Sequence, residues 1–483
     1  MKNNILNLGS IALVGGISNS GLRYLMYLLI GQRLGAEPLG QFSFGLMLLG
    51  VGGVVAKFGL DNAALKFVPR YLGDDENERL TGMVILSLVI PLAFGSVIAA
   101  VLYLSRTAIE GVTTSAVQSV IPLFVIGIPI TAAMIVGKSL TRGFKETKYD
   151  VYINNAQSGV AVVGVLVVTA LSYGILTVVA TYVLSLAVGV VISIIILYYL
   201  GAFSGLPSPE FETSKLLRFS GPILFMAIAL KLMSVTDVFM LGVFEEASAI
   251  GIYQSAFQTA LFLTMALSAV NSIFPSVASE LYDNNEMEKL NRMYSVVSKW
   301  LFSVTVLGFI FVVVFGETIL GLFGAEFQAG WYLLIVLAAG QTVTAITGPA
   351  GFLLIMTGNE QIEMFNTLST TILNVILNAI LISIFGPIGA AIGTGVAISL
   401  LNVLRMIQVQ LTLDMLPFSN EYARHVFGIV IVAPLPILIH EFVFQGSILV
   451  MLLIGIVTLG VFFTVMIGTG LDESDRLLLE SVQ

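Results

Sequence analysis

Residues 219–243 read FSGPILFMAIALKLMSVTDVFMLGV. The stretch exceeds the roughly 20 apolar residues needed to cross a bilayer. Yet Lys231 stands near its middle. Asp237 follows about 9 Å further along a helix rising ~1.5 Å per residue. A charge at that depth costs roughly 2.5–3.5 kcal/mol on insertion scales, so such residues face a bundle interior or a water-filled cavity. The same stretch opens a second copy of the pattern at the N-terminus. Both features imply a transport pathway.

The rest of the chain has the same character. It has 483 residues, 57% hydrophobic and only 10% charged, with a mean hydropathy of +1.00. That composition predicts an all-α, polytopic membrane protein. The longest polar stretch, about 275–297, is too short for a soluble catalytic domain. With no cysteine, disulfides and thiolate chemistry are excluded, and two histidines, His425 and His440, make a histidine metal site improbable. The first apolar run, from Ser10, lacks a basic leader region and a cleavage site and reads as a retained helix. The net charge of −8 sits in loops such as Asp74, Asp75, Glu76 and Asp472, Glu473.

Counting apolar runs gives fourteen expected spans, from 10–30 to 446–468. With the N-terminus inside, cytoplasmic segments hold 16 of the 21 Lys and Arg residues. The outer loops hold Arg33 and Arg106, and Arg23, Lys57 and Lys231 lie within spans. This positive-inside bias predicts cytoplasmic N- and C-termini. At a constant offset of 211, Leu28, Leu29, Ile30 and Gly31 match Phe239, Met240, Leu241 and Gly242. Leu39, Gly40, Gln41 and Phe42 match Ile250, Gly251, Ile252 and Tyr253 at the same offset. A parallel internal repeat is therefore expected. It gives a six-helix bundle over 1–200, a cytoplasmic linker over 201–215, a second bundle over 216–412, and two additional helices with a cytoplasmic tail over 413–483.

The candidate site residues follow from intramembrane charge. Arg23 lies somewhat outward of the middle of the first span, and its repeat equivalent, Ser234, is three residues after Lys231. Residues three apart share a helix face. Arg23 and Lys231 would then point in corresponding directions, as a clamp for an anion. A structural ion pair is the bland alternative. Asp237 could pair with Arg23 in the empty state or bind a coupling cation. Lys57 and Asp61, four apart at the inner end of the second span, read as a structural pair or a cavity mouth. Tyr27, with Tyr24, Tyr253 and Gln254, could stack on sugars or simply pack helices. The basic segment 138–150 could attract a phosphate headgroup, though ordinary topology explains it. Asn374, Asn378 and the glycine-rich run 386–395 read as close packing with interhelical bonds. No Walker A motif, metal cluster or catalytic carboxylate dyad is present, so an enzyme is not expected. Any driving force must come from ions such as H+ or Na+, the membrane potential or product consumption.

Thr357, Gly358, Asn359, Glu360, Asn374, Asn378, Leu381, Ile382 and the run from Phe385 to Thr394 carry a resemblance. So do Leu34, Gly35, Leu39, Gly40, Gln41, Phe42 and the Arg142, Gly143 turn. The chain resembles the polysaccharide-transport (oligosaccharide flippase) proteins of the multidrug/oligosaccharidyl-lipid/polysaccharide exporter superfamily. The resemblance implies two six-helix bundles with two extra helices and a cationic central cavity. It also implies flipping of polyprenyl- or dolichyl-linked oligosaccharide across the cell membrane by alternating access. Expected partners are that lipid-linked sugar, membrane lipid and glycosyltransferases or a polymerase of the same pathway, with no nucleic acid and a monomeric state. The cation-coupled multidrug exporters of the superfamily are the rival. They carry acidic residues in the first and seventh helices; here the first holds Arg23, while Asp237 sits in the seventh. A lipid II flippase and a non-transporting membrane scaffold are further alternatives.

Overall fold

The computed structural model describes residues 2–105, 118–206, 208–418, 422–443 and 447–468, with side chains from residue 15 on, those of Met233, Phe442 and Val443 excepted. Arg106, Val117, Pro207, Gly446, Asp472, Glu473, Arg476 and the tail lie outside the described residues. Every regular element among the described residues is helical. The chain divides into two compact units, Met1–Gln254 and Ser255–Gln483.

The first unit holds α1 (Lys2–Leu34), α2 (Ala36–Ala56), α3 (Leu60–Gly73), α4 (Asn77–Leu104), α5 (Ile121–Gly143), α6 (Thr147–Ala170), α7 (Ile175–Tyr199), α8 (Thr213–Met233) and α9 (Thr236–Phe244). α10 (Ala247–Ala260) runs across the division. The second unit holds α11 (Met265–Asn271), α12 (Phe274–Asp283), α13 (Met287–Gly321), α14 (Trp331–Ile346), α15 (Ala350–Met356), α16 (Glu360–Phe385), α17 (Pro387–Leu413), α18 (Tyr422–Val432), α19 (Pro434–Val443) and α20 (Ile448–Gly468). Twelve helices among the described residues are long and apolar enough to cross a membrane, or thirteen if one bent pair is a single span. The protein is a multi-pass membrane protein, and the expected count of fourteen is not confirmed among the described residues. α1, whose side chains are described only from residue 15 on, is not among the twelve.

The bent pair is the stretch 219–243, read above as one continuous helix. It is broken instead: α8 and α9 meet at 55°. Val235, with φ −130° and ψ 10°, leaves the helical region. Backbone groups at a break inside a membrane need internal partners; the Lys231 and Leu232 carbonyls accept from the Ser234 and Val235 N–H groups at 3.1 and 3.2 Å, and local hydroxyls add to them. Ser234 Oγ donates to the Lys231 carbonyl at 2.8 Å, and Thr236 Oγ1 to that of Leu232 at 2.9 Å. Such back-bonding side chains bend helices. At the start of α9 the Val238 N–H donates to Asp237 Oδ1 at 2.8 Å.

The repeat is visible in local geometry. A Cβ on Gly40 would lie 1.6 Å from the Ala247 carbonyl oxygen, and one on Gly251 would lie 2.0 Å from that of Ala36. Ala36 and Ala247, like Gly40 and Gly251, are 211 residues apart, so the glycine of each repeat admits the backbone of the other repeat's alanine. The helix-to-helix turns recur too. Asp75 (φ 57°) precedes α4 and Asn285 (φ 57°) precedes α13; Ser172 follows α6 and Gly386 follows α16, both with φ 61°.

The linker 201–214 is fastened to the first unit. Thr81 Oγ1 donates to the Ala202 carbonyl and accepts from the Gly205 N–H, both at 3.0 Å. The Glu210 N–H donates to the Glu78 carbonyl at 3.0 Å, and Arg79 Nε reaches the Glu210 carboxylate at 2.9 Å. Glu212 accepts from Tyr71 and from Lys215, the latter at 2.8 Å. Those two hydrogen bonds, that from Lys215 first, hold the Glu212 carboxyl below its ordinary range. Burial, together with the bond to Glu212, pushes the Tyr71 hydroxyl up.

Candidate functional site

Small residues on α2 set the site. A Cβ on Gly45 would lie 2.0 Å from the Phe124 ring, and one on Gly52 2.6 Å from Ile128, so α5 approaches α2 closely. Beside this contact, α1, α2, α5, α6 and α7 enclose a cavity of about 280 Å3. Its apolar wall includes Met26, Leu46, Leu49 and Met134, and its polar lining is Asn19, Arg23, Thr131, Lys138, Asn154, Gln157, Ser158 and Tyr182. Asn19 and Arg23 are one turn apart, as are Asn154 and Ser158, so each helix turns a polar face inward.

The polar groups are ordered by one another. Ser158 Oγ donates to Asn19 Oδ1 at 2.7 Å, Gln157 Nε2 to Ser185 Oγ at 2.8 Å, and Lys138 Nζ to Asn154 Oδ1 at 2.8 Å. Thr131 Oγ1 is buried without a hydrogen-bond partner. Arg23 is exposed on the cavity surface. It stands close enough to Tyr182 and to Lys231 to interact electrostatically. Among the described residues no ion pair or hydrogen bond engages the side chain of Arg23 or of Lys231.

The other expected site residues divide. The end of the Lys231 side chain lies against Gly50, where a Cβ would be 2.9 Å from Cε and 3.1 Å from Nζ. Gly50 itself lines the cavity, so Lys231 reaches the wall of the space that Arg23 faces. Asp237 is buried and does not pair with Arg23, as the empty-state alternative had it; Tyr253 donates to its Oδ2 at 2.7 Å. Tyr27 is buried edge-on to Phe42, ring centroids 6.2 Å apart, and does not line the cavity. Lys57 and Asp61 form an ion pair at 2.6 Å, away from the cavity lining. They do not share the second span: α2 ends at Ala56, and Phe58 (φ 53°) and Gly59 (φ 71°) turn the chain before α3.

Sequence reasoning missed Asn19, Gln157 and Ser158; it placed Lys138 in a basic segment that could attract a phosphate headgroup, favoured ordinary topology for it, and did not place it in the cavity. The spacing of Asn154, Gln157 and Ser158, three and four apart in an apolar run, was the available signal. It also missed a polar seam in the second unit. Arg405 Nε bonds both Glu363 oxygens, at 2.9 and 3.1 Å, and its Nη1 donates to Asn402 Oδ1 at 3.2 Å. Gln408 Nε2 donates to Asn366 Oδ1 at 2.9 Å. At the other end of this helix pair α17 packs tightly on α16: a Cβ on Gly389 would lie 2.1 Å from the Leu381 carbonyl oxygen. The Asn374, Asn378 bond, 3.2 Å, lies within α16 and does not cross between helices. No cluster of metal-ligating side chains exists among the described residues.

A multi-helix membrane fold with an intramembrane cationic cavity defines a transporter. The chain belongs to the polysaccharide biosynthesis protein family, which matches residues 6–281; it is a transporter of the flippase class, not an enzyme. The MatE family matches residues 222–380. A probable low-salt glycan biosynthesis flippase, Agl15 of Haloferax volcanii, is 26% identical over 397 residues, covering 81% of this chain and 80% of that one. Among solved structures, the lipid II flippase MurJ in an inward closed conformation matches with a TM-score of 0.71 at 14% identity, over 94% of this chain and 98% of that one. An inward-facing multidrug resistance MATE family transporter of the MOP superfamily matches at 0.70 and 16% identity, over 82% and 94%. A MOP superfamily transporter from Pyrococcus furiosus matches at 0.59 and 16%, over 85% and 95%. These likenesses establish the MATE/MurJ-like fold.

Proposed function

We propose that the protein flips a lipid-linked oligosaccharide, on a polyprenyl or dolichyl phosphate or diphosphate, across the cell membrane by alternating access. The product would serve a surface polysaccharide or glycoprotein pathway. The observation that carries this reading is Arg23. A guanidinium inside the membrane, without an ion-pair partner among the described residues and facing a polar cavity, fits an anionic headgroup better than a structural role. The cavity lies wholly within the segment that the polysaccharide biosynthesis family matches. Amide and hydroxyl groups beside Arg23 suit a phosphate or the sugar next to it. The lipid tail stays in the bilayer, so only the headgroup crosses. Lys231 joins Arg23 as a second cation, and H+ or Na+ gradients or product consumption supply the drive. Both termini are cytoplasmic on the Lys and Arg bias.

The test is reconstitution in proteoliposomes, with lipid-linked sugar and cationic drugs compared as cargo. Wild-type protein should move the lipid-linked sugar, and Arg23→Ala should lower that rate at least tenfold with protein abundance unchanged. Drug efflux without movement of lipid-linked sugar would replace this reading with the multidrug exporter.

A further inference from the structure

Lys138 and Arg23 stand at opposite ends of one cavity. α1 and α6 run parallel, since a Cβ on Gly15 would meet Val151 while Asn19 bonds Ser158. Arg23 therefore lies beyond Asn19, away from the Asn154 end of α6. Lys138 bonds Asn154. The lining runs seven residues along α6, from Asn154 to Ala161, and seven along α5, from Lys138 to Thr131. At ~1.5 Å per residue that is about 10 Å. On the positive-inside bias, the Lys138 end is the cytoplasmic one.

The charge at that end is unbalanced. Asp150 lies 4.0 Å from Lys138 and 3.8 Å from Arg142. It also accepts from the Asn154 side chain at 3.3 Å. One carboxylate thus serves two cations, while the neighbouring Lys148 and Glu146 cancel each other at 2.8 Å. An excess positive charge remains, and its ammonium lines the cavity.

We infer that Lys138 is an anion-binding residue of this cavity, which takes a phosphate or diphosphate group at the cytoplasmic end before that group reaches Arg23. This rests on the reading of the cavity as the substrate site. Asn154 and Asp150 hold the ammonium in place when no anion is present. An arriving phosphate displaces the shared carboxylate from Lys138 and leaves Asp150 to Arg142. The residue is an entry ligand, so it governs capture of the headgroup.

The test measures binding by the full-length protein without transport. Inorganic diphosphate is titrated calorimetrically in detergent, and a short-chain prenyl diphosphate is titrated in nanodiscs. Lys138→Gln should weaken binding at least tenfold, and Lys138→Arg should stay within about threefold of wild type. Asp150→Asn should tighten binding several-fold, because the competing carboxylate is gone; a merely structural Lys138 predicts no such gain. Binding of the prenyl compound alone, with the same variant pattern, assigns the site to lipid-borne phosphate, and binding of both assigns it to the shared group. If Lys138→Gln does not fold, Asp150→Asn decides. Equal affinity of the Asp150→Asn and wild-type proteins, or no binding of either probe by wild type, overturns the inference. Lys138-dependent binding in a protein that flips no lipid-linked sugar would sink the proposed function and leave this site standing.

Discussion

Two arginines on long apolar helices have opposite surroundings. Arg405, in the second unit, is held bidentate by Glu363 and further by Asn402, between α16 and α17, with α15 packed against it. Arg23, in the first, is exposed toward a cavity and joined to no carboxylate among the described residues. A cation with its charge matched and its donors occupied holds helices together. One with its donors open is available to a ligand. A charge in an apolar helix does not by itself separate these cases. What separates them is whether a neighbouring helix brings a carboxylate.

The contrast fails if the two respond alike to truncation. Glu363→Ala leaves the half-buried Arg405 without its counter-charge; breaking a fully buried pair costs about 3–5 kcal/mol, and this partly exposed one costs less. The loss should still appear as a clear drop in the unfolding temperature of the detergent-solubilised protein, while Arg23→Ala should leave that temperature nearly unchanged. A similar drop for both would make Arg23 structural.

Replacing the seam as a pair sharpens the comparison. Glu363→Met with Arg405→Leu removes both charges together, and such replacements are neutral or stabilising by about 1–4 kcal/mol. The double variant should recover most of the stability lost by Glu363→Ala, read by the same melt. Transport should persist, since neither residue lines the cavity.

The smallest effect concerns the linker. The Glu212 carboxyl is held below its ordinary value by Lys215 and Tyr71. A depressed carboxyl contributes stability that is present above the unfolded value, about 4.3, and lost as pH falls through the folded one. Glu212→Gln should therefore lower the melting temperature slightly near neutrality and flatten its decline below about pH 4.3, where the two proteins converge. An unchanged acid limb would mean that the linker contact adds nothing to folding. The effect is small because the pair is well exposed to solvent.

Much of the fold was legible because a bilayer imposes a length and a polarity on each helix. The Lys and Arg distribution, the repeat and the family resemblance in 357–394 needed no coordinates. Arg23 and Lys231 were found because a charge inside an apolar run is costly wherever it lies. The break at Ser234 and Val235 was not readable, since serine and threonine in an apolar run serve equally in straight and bent helices. Their hydroxyls decide only once the chain has turned.

Sequence by itself determined the membrane class, the repeat and which residues carry unusual charge. Each follows from local composition against a fixed solvent thickness. Only the tertiary structure decided which charges are matched. It joined Glu363 to Arg405 across 42 residues and Tyr253 to Asp237 across 16, and it opened Lys138 and Arg23 onto one cavity. Pairing depends on which helix faces are brought together, and helix periodicity places a side chain on a face without naming the face opposite.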